Sequence, residues 1–333
     1  MLPTLVQNLS DLLHHALEHG TEAALVLHDG RSPLARLLVE GYRSALPGAG
    51  FLDVDAHPAG QVLSRVEALP AGSLVVLVQS TRFDLQRHRF RLTLFQRSLK
   101  VVEHPHLGRM QEDELGTYVD ALAYDPEAIR PLGLALKARL DAAERVSLVS
   151  AAGVLSYAGP LEAAKLNLGD YRGARHVGGQ FPIGEVITEP VDLAGCSGRV
   201  SIHAYGEADF TLCSLPDPFP LVVEGGQVAA APGAPPGFQA VLDAIRAAEG
   251  VVWVRELGFG LNRAFSRTRT VTDVGTYERV CGVHLSLGAK HPIFPKAGID
   301  PRQTRFHVDV FCDLERVEVD SEPVWAAGAY RVP

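Results

Sequence analysis

Cysteine is scarce and badly placed for structural chemistry. The four in 333 residues, Cys196, Cys213, Cys281 and Cys312, form no CxxC pair. That spacing gives neither a zinc ribbon nor a disulfide framework and predicts reduced thiols in a cytoplasmic protein. No run of Lys and Arg offers a phosphate footprint, and the formal net charge is −8, which excludes nucleic acid as the main partner. The densest basic cluster, Arg82, Arg87, Arg89 and Arg91, is interleaved with apolar residues and is read as a solvated face. No apolar stretch approaches the roughly 20 residues needed to cross a bilayer, so no membrane partner is expected. Met1-Leu2-Pro3-Thr4 lacks a basic segment followed by an apolar run, so no signal peptide is predicted. GxGxxG and the P-loop lysine are also missing, which leaves Asp29-Gly30-Arg31-Ser32 as a strand-to-helix turn rather than a nucleotide site. No internal repeat is present.

What is there suits a globular chain with a sizeable core: 47% of residues are apolar and 21% charged. Leu5, Leu9, Leu12, Leu13, Ala16 and Leu17 recur at helical spacing, with Gly20 as a candidate C-cap. Strand-like runs follow at residues 23–28, 51–55 and 73–79, and Ser32 is placed to cap a helix reaching about Leu46. This alternation predicts a parallel, Rossmann-like α/β domain over residues 1–145. A helical pattern returns over 132–143, and Val146-Ser147-Leu148-Val149 is expected to open a second α/β unit. Beyond about residue 175 the strands become short and alternating, and Phe238 to Ala248 is the clear helix, so residues 146–333 are assigned to an α+β domain. Residues 231–237 read as a surface loop.

Chemistry concentrates in the last third. Glu256 ends an apolar run and meets Leu-Gly-Phe-Gly, which places it at a strand end. His284 stands in Val-His-Leu-Ser-Leu-Gly, and His307-Val308-Asp309 puts imidazole and carboxylate on one face of a strand about 7 Å apart. Glu185 lies at a loop–strand junction after Pro182-Ile183-Gly184. Taken singly, each has a bland explanation: a satisfied core histidine, a hydrogen-bonded His–Asp pair, an exposed glutamate. Together they are costly to bury without partners. Two Glu, two His and one Asp make a full ligand set for two adjacent divalent ions. His104 and His106, around Pro105, are candidate substrate-binding residues.

Gly184-Glu185-Val186, Glu256-Leu257-Gly258, His284-Leu285-Ser286-Leu287-Gly288 and His307-Val308-Asp309 resemble, in order and identity, the metal-binding motifs of the M29 metallopeptidases, the aminopeptidase T-type or thermophilic aminopeptidases. The resemblance is specific over about residues 178–311. It implies a thermophilic metalloprotease-like fold, an N-terminal α/β domain followed by a metal-binding catalytic domain, and a homodimer. It also implies that Glu185, Glu256, His284, His307 and Asp309 hold two divalent ions (Zn, Co, Mn or Mg) for hydrolysis of an N-terminal peptide bond in a small peptide or other small molecule. Glu185 or Glu256 would act as general base, with His291 or Lys290 stabilising the oxyanion. Where the family has a tyrosine seven residues after the first metal-binding histidine, this chain has His291, able to donate a proton or act as acid–base near neutral pH. Two alternatives stand beside this. One is a mononuclear Fe(II) ring-cleaving dioxygenase acting on a dihydroxypyridine-like substrate through His284, His307 and Asp309. The other is a binding protein on a degenerate peptidase scaffold.

Overall fold

The computed structural model of the chain describes all residues except 84, 86–89 and 333; Arg87 and Arg89 of the basic cluster lie outside the described residues. The chain forms two compact units, each assembled from separated segments. The first comprises Met1–Glu127, Leu168–Ile183 and Ala264–Thr276; the second comprises Ala128–Asn167, Gly184–Arg263 and Tyr277–Pro333. A single cut at residue 145 differs from this division, because the chain passes between the units five times.

The first unit is built on a five-stranded parallel sheet in the order Gly50–Asp53, Ala24–His28, Leu74–Val78, Lys100–His104, Gly178–Gln180. All five residues of Leu74–Val78 are buried, as expected of a central parallel strand covered on both faces. Leu25, Leu27, Val75, Leu77 and Val101 pack with Val62, Val66, Phe90 and Leu94 from the helices Ala59–Glu67 and Phe90–Gln96. The opposite face meets the helix Pro33–Ala45, whose Tyr42 hydroxyl bonds His104. Ser32 caps that helix by accepting from the Ala35 amide, so Asp29-Gly30-Arg31-Ser32 is the strand-to-helix turn read from the sequence. The first helix, Leu2–His15, ends on Ala16 rather than at Gly20.

The second unit is organised by a 13-stranded sheet. Arg145–Ser150 does not open another α/β unit. It turns at once into an antiparallel hairpin with Gly153–Ala158, and the remaining pairings of this sheet are antiparallel as well. The reason lies in the connection: two residues separate the strands, too few for the crossover that a parallel pair requires. The clear helix expected near 238–248 is present as Pro236–Glu249, burying Phe238, Val241, Leu242 and Ile245. Among the described residues, no helix is long and apolar enough to cross a membrane.

Candidate metal centre

Four neighbouring strands of this sheet, Val308–Cys312, Gly282–Leu287, Val254–Gly260 and Glu185–Thr188, carry four of the expected ligands. Register decides which side chains share a face. His284 lies opposite Gly258 on one side and Phe311 on the other, Ser286 opposite Asp309, and Glu185 opposite Gly260. Opposed residues, and residues two apart along a strand, point the same way. One face therefore presents Glu185, Glu256, His284 and Asp309, with His307 just before its strand. The other presents Val186, Leu257, Phe259, Val283, Leu285 and Val310, all buried. The apolar alternation read from the sequence is the back of the site.

Two features make room on the polar face. A Cβ on Gly258 would overlap the His284 imidazole, and one on Gly260 would overlap the backbone of Arg279 and Val280. Glycine at both positions lets ring and backbone approach the strand. Between Val254 and Leu257 the register shifts, so that Arg255 and Glu256 together oppose Ser286, whose hydroxyl accepts from the Glu256 amide at 3.0 Å. This bulge re-aims consecutive side chains, and both Arg255 and Glu256 are buried. Glu256 is thus inside a strand, not at its end as expected, because the strand runs on through its glycines.

The ligand atoms fall into two groups that share one residue. Glu185, Glu256 and His284 form the first; Glu256, His307 and Asp309 form the second; within each, the donor atoms lie within 4.8 Å of one another. His284 Nε2 is 3.0 Å from Glu256 Oε1 and 3.4 Å from Glu185 Oε1. His307 Nε2 is 3.2 Å from Asp309 Oδ1, while its Nδ1 donates to the Lys290 carbonyl at 3.0 Å. Apart from that His307 ion-pair contact, Asp309 Oδ1 is buried with no hydrogen-bond partner among the described residues. A buried carboxylate oxygen left so, beside imidazole nitrogens and other carboxylates, fits a divalent cation.

Electrostatics agree with a site built for positive charge. Burial pushes the Glu185 carboxyl up, partly offset by Arg279 and His284. Burial opposes charge on Glu256 too, but the adjacent His284, His291 and His307 imidazoles outweigh it and hold that carboxyl well below the usual range. His284 and His291 are both raised against burial by neighbouring carboxylates. Burial also works against protonated His307, yet Asp309 and Glu256 lift it to about 10.

Other expected residues are placed differently. The Lys290 side chain is exposed; what Lys290 supplies is the carbonyl that orients His307. His104 is buried in the first unit with both ring nitrogens engaged, by the Tyr42 and Tyr118 hydroxyls at 2.7 and 2.8 Å. No ring atom is left for a substrate, and burial lowers its pKa to about 3. His106 sits in the same unit at a left-handed backbone position, φ 57°, before the short 3-10 turn Leu107–Arg109. All four cysteines are free.

Sequence inspection missed Glu189 and Glu249. Glu189 is buried with Arg255, Lys296 and His291 around it. Glu249, the last residue of its helix, accepts from the Ala289, Arg305 and Phe306 amides and so ties both ends of the segment bearing Lys290 and His291. Its position at the end of a helix carried no sequence signal; for Glu189, closeness to Glu185 was the available one.

No protein-family model matches the chain, and no curated protein matches it. Among solved structures, wild-type AmpT from Thermus thermophilus is similar over 99% of this chain and 99% of its own, with a TM-score of 0.58 and 13% identity. At that identity the likeness is one of fold.

Proposed function

We propose that this chain is a metal-dependent, aminopeptidase-like hydrolase whose centre takes two divalent ions. The observation that carries this is the position of Glu256, the residue common to two donor groups and thus able to bridge two ions. The fold shared with AmpT and the motif resemblance to the M29 aminopeptidases support the same class. Ions held there would supply water of lowered pKa and a polarised carbonyl. Glu185, whose carboxyl is raised by burial in the metal-free chain, would be the residue suited to accept a proton in hydrolysis. An ion held there could also take the neutral amine of a free amino terminus, which suits an aminopeptidase-like preference. His307, at 28% side-chain exposure, is the most open of the five ligands, and a substrate would approach from its side.

The mononuclear iron alternative requires His284, His307 and Asp309 on one ion. Their donor atoms fall in separate groups, His284 in one and the other two in the second, so that alternative gains no support. The test is elemental analysis of gently purified protein, together with hydrolysis of aminoacyl anilides. Two ions per chain are expected, with turnover lost in a His307→Ala, Asp309→Ala double variant. Fewer than about one ion per chain, or activity surviving that double change, would sink the proposal.

A further inference from the structure

Glu189 has no exposed surface, yet its carboxylate is surrounded by cationic partners. Arg255 donates from Nε and Nη2 at 2.9 and 3.0 Å, and Lys296 Nζ is 3.1 Å away. His291 Nδ1 donates to Glu189 Oε2 at 2.8 Å. Arg255 further donates to the Ala289 and Phe294 carbonyls, pinning the chain on either side of His291. A carboxylate fixed this firmly keeps the proton on Nδ1 and turns Nε2 away from it. Nε2 is buried and stands 2.8 Å from Glu256 Oε2, an ion-pair contact that does not meet hydrogen-bond geometry, and it has no hydrogen bond to another described residue. The ring centroid is 5.7 Å from that of His307. At 2% side-chain exposure His291 is far more enclosed than His307.

Carboxylate to imidazole N–H, with the second nitrogen aimed into a metal site, is how proteins orient metal-binding histidines. We propose that His291 Nε2, which reaches Glu256 but lies outside the 4.8 Å grouping of Glu256, His307 and Asp309, closes on the ion those three would hold as a further ligand, with Glu189 as its positioning residue. The assignment rests on the two-ion proposal and makes the two positions chemically unequal. One then offers two imidazoles and two carboxylates, which favours zinc or cobalt. The other offers one imidazole and two carboxylates, which suits manganese or magnesium better.

Calorimetric titration of the metal-free full chain with Zn²⁺ and then Mn²⁺, and absorption spectra of the Co²⁺ form, test this on wild type, His291→Gln and Glu189→Gln. Melting curves confirm folding of each. Wild type is expected to show a tight and a weaker step. His291→Gln should weaken the tight step by more than about 100-fold and change the Co²⁺ spectrum, leaving the weaker step in place; Glu189→Gln should cost roughly 10–100-fold on the tight step. Should His291→Gln not fold, Glu189→Gln alone decides, and tight-step affinity unchanged in it overturns the assignment. A folded His291→Gln with both steps and the spectrum unchanged also overturns it, while two ions in wild type leave the proposed function standing. Wild type that binds no ion overturns both.

Discussion

Gly258 lies directly opposite His284 across paired strands, and a single methyl at Gly258 would occupy the space of the imidazole ring. Gly258→Ala should therefore push His284 out of the site. The expected outcome is loss of the ion that Glu185, Glu256 and His284 would hold, with overpacking costing about 1–3 kcal/mol of stability. Metal content and chemical denaturation measure the two effects. Full metal content in the variant would show that the ring is not held where the fit requires.

Glu256 and Glu185 should differ in what they control. Since Glu256 belongs to both donor groups and Glu185 to one, Glu256→Gln should weaken both calorimetric binding steps. Glu185→Gln should weaken one. Each loss is expected to exceed the roughly 10–100-fold that removal of an outer partner costs. Equal effects from the two variants would argue against a shared carboxylate.

Metal affinity should rise with pH. In the metal-free chain His307 is lifted to about 10, so near neutral pH an arriving ion must displace its proton. Affinity is expected to increase about tenfold per pH unit for each proton released, levelling as the pH nears 10. Titrations in buffers of different ionisation enthalpy would count that proton. The same raised pKa means the His307–Asp309 pair favours the metal-free fold below about pH 6.5, and that contribution fades as the pH climbs toward 10.

His104 predicts the opposite dependence for the first unit. Its pKa is lowered to about 3, so the folded chain keeps it neutral while the unfolded chain protonates it below about pH 6.5. Stability should fall by up to about 1.4 kcal/mol per pH unit as the pH drops from 6.5 towards 3. His104→Gln should flatten that slope in urea denaturation series. A slope unchanged by the substitution would place the acid sensitivity elsewhere.

Arg255 holds Glu189 in a pair with side-chain exposures of 1% and 0%. Arg255→Met would leave a buried carboxylate short of its main partner, a change that typically costs about 3–5 kcal/mol. Denaturation midpoints would show it, and a loss below about 1 kcal/mol would mean that Lys296 and His291 suffice.

The legible parts of this protein were local ones. Apolar runs at Leu25–Leu27 and Leu74–Val78 announced parallel strands because such strands are buried on both faces. Ser32 announced its helix through capping chemistry alone. The Val146–Val149 run looked the same as a parallel strand, and only its partner across a two-residue turn showed it to be antiparallel. Glu189 escaped notice because a buried carboxylate reads like any surface glutamate until Arg255, His291 and Lys296, 66 to 107 residues away in sequence, are brought to it.

By itself, the sequence determined which side chains the strands would carry on alternate positions, since a period of two is a property of the extended backbone. It also placed glycine where ring and backbone must meet. Tertiary structure alone decided that Glu256 stands between two groups of donors, that a bulge turns Arg255 and Glu256 inward together, and that His291 is aimed by Glu189. Those outcomes depend on the register of paired strands and on loops closed over long separations. Both are set by the fit of the folded chain as a whole.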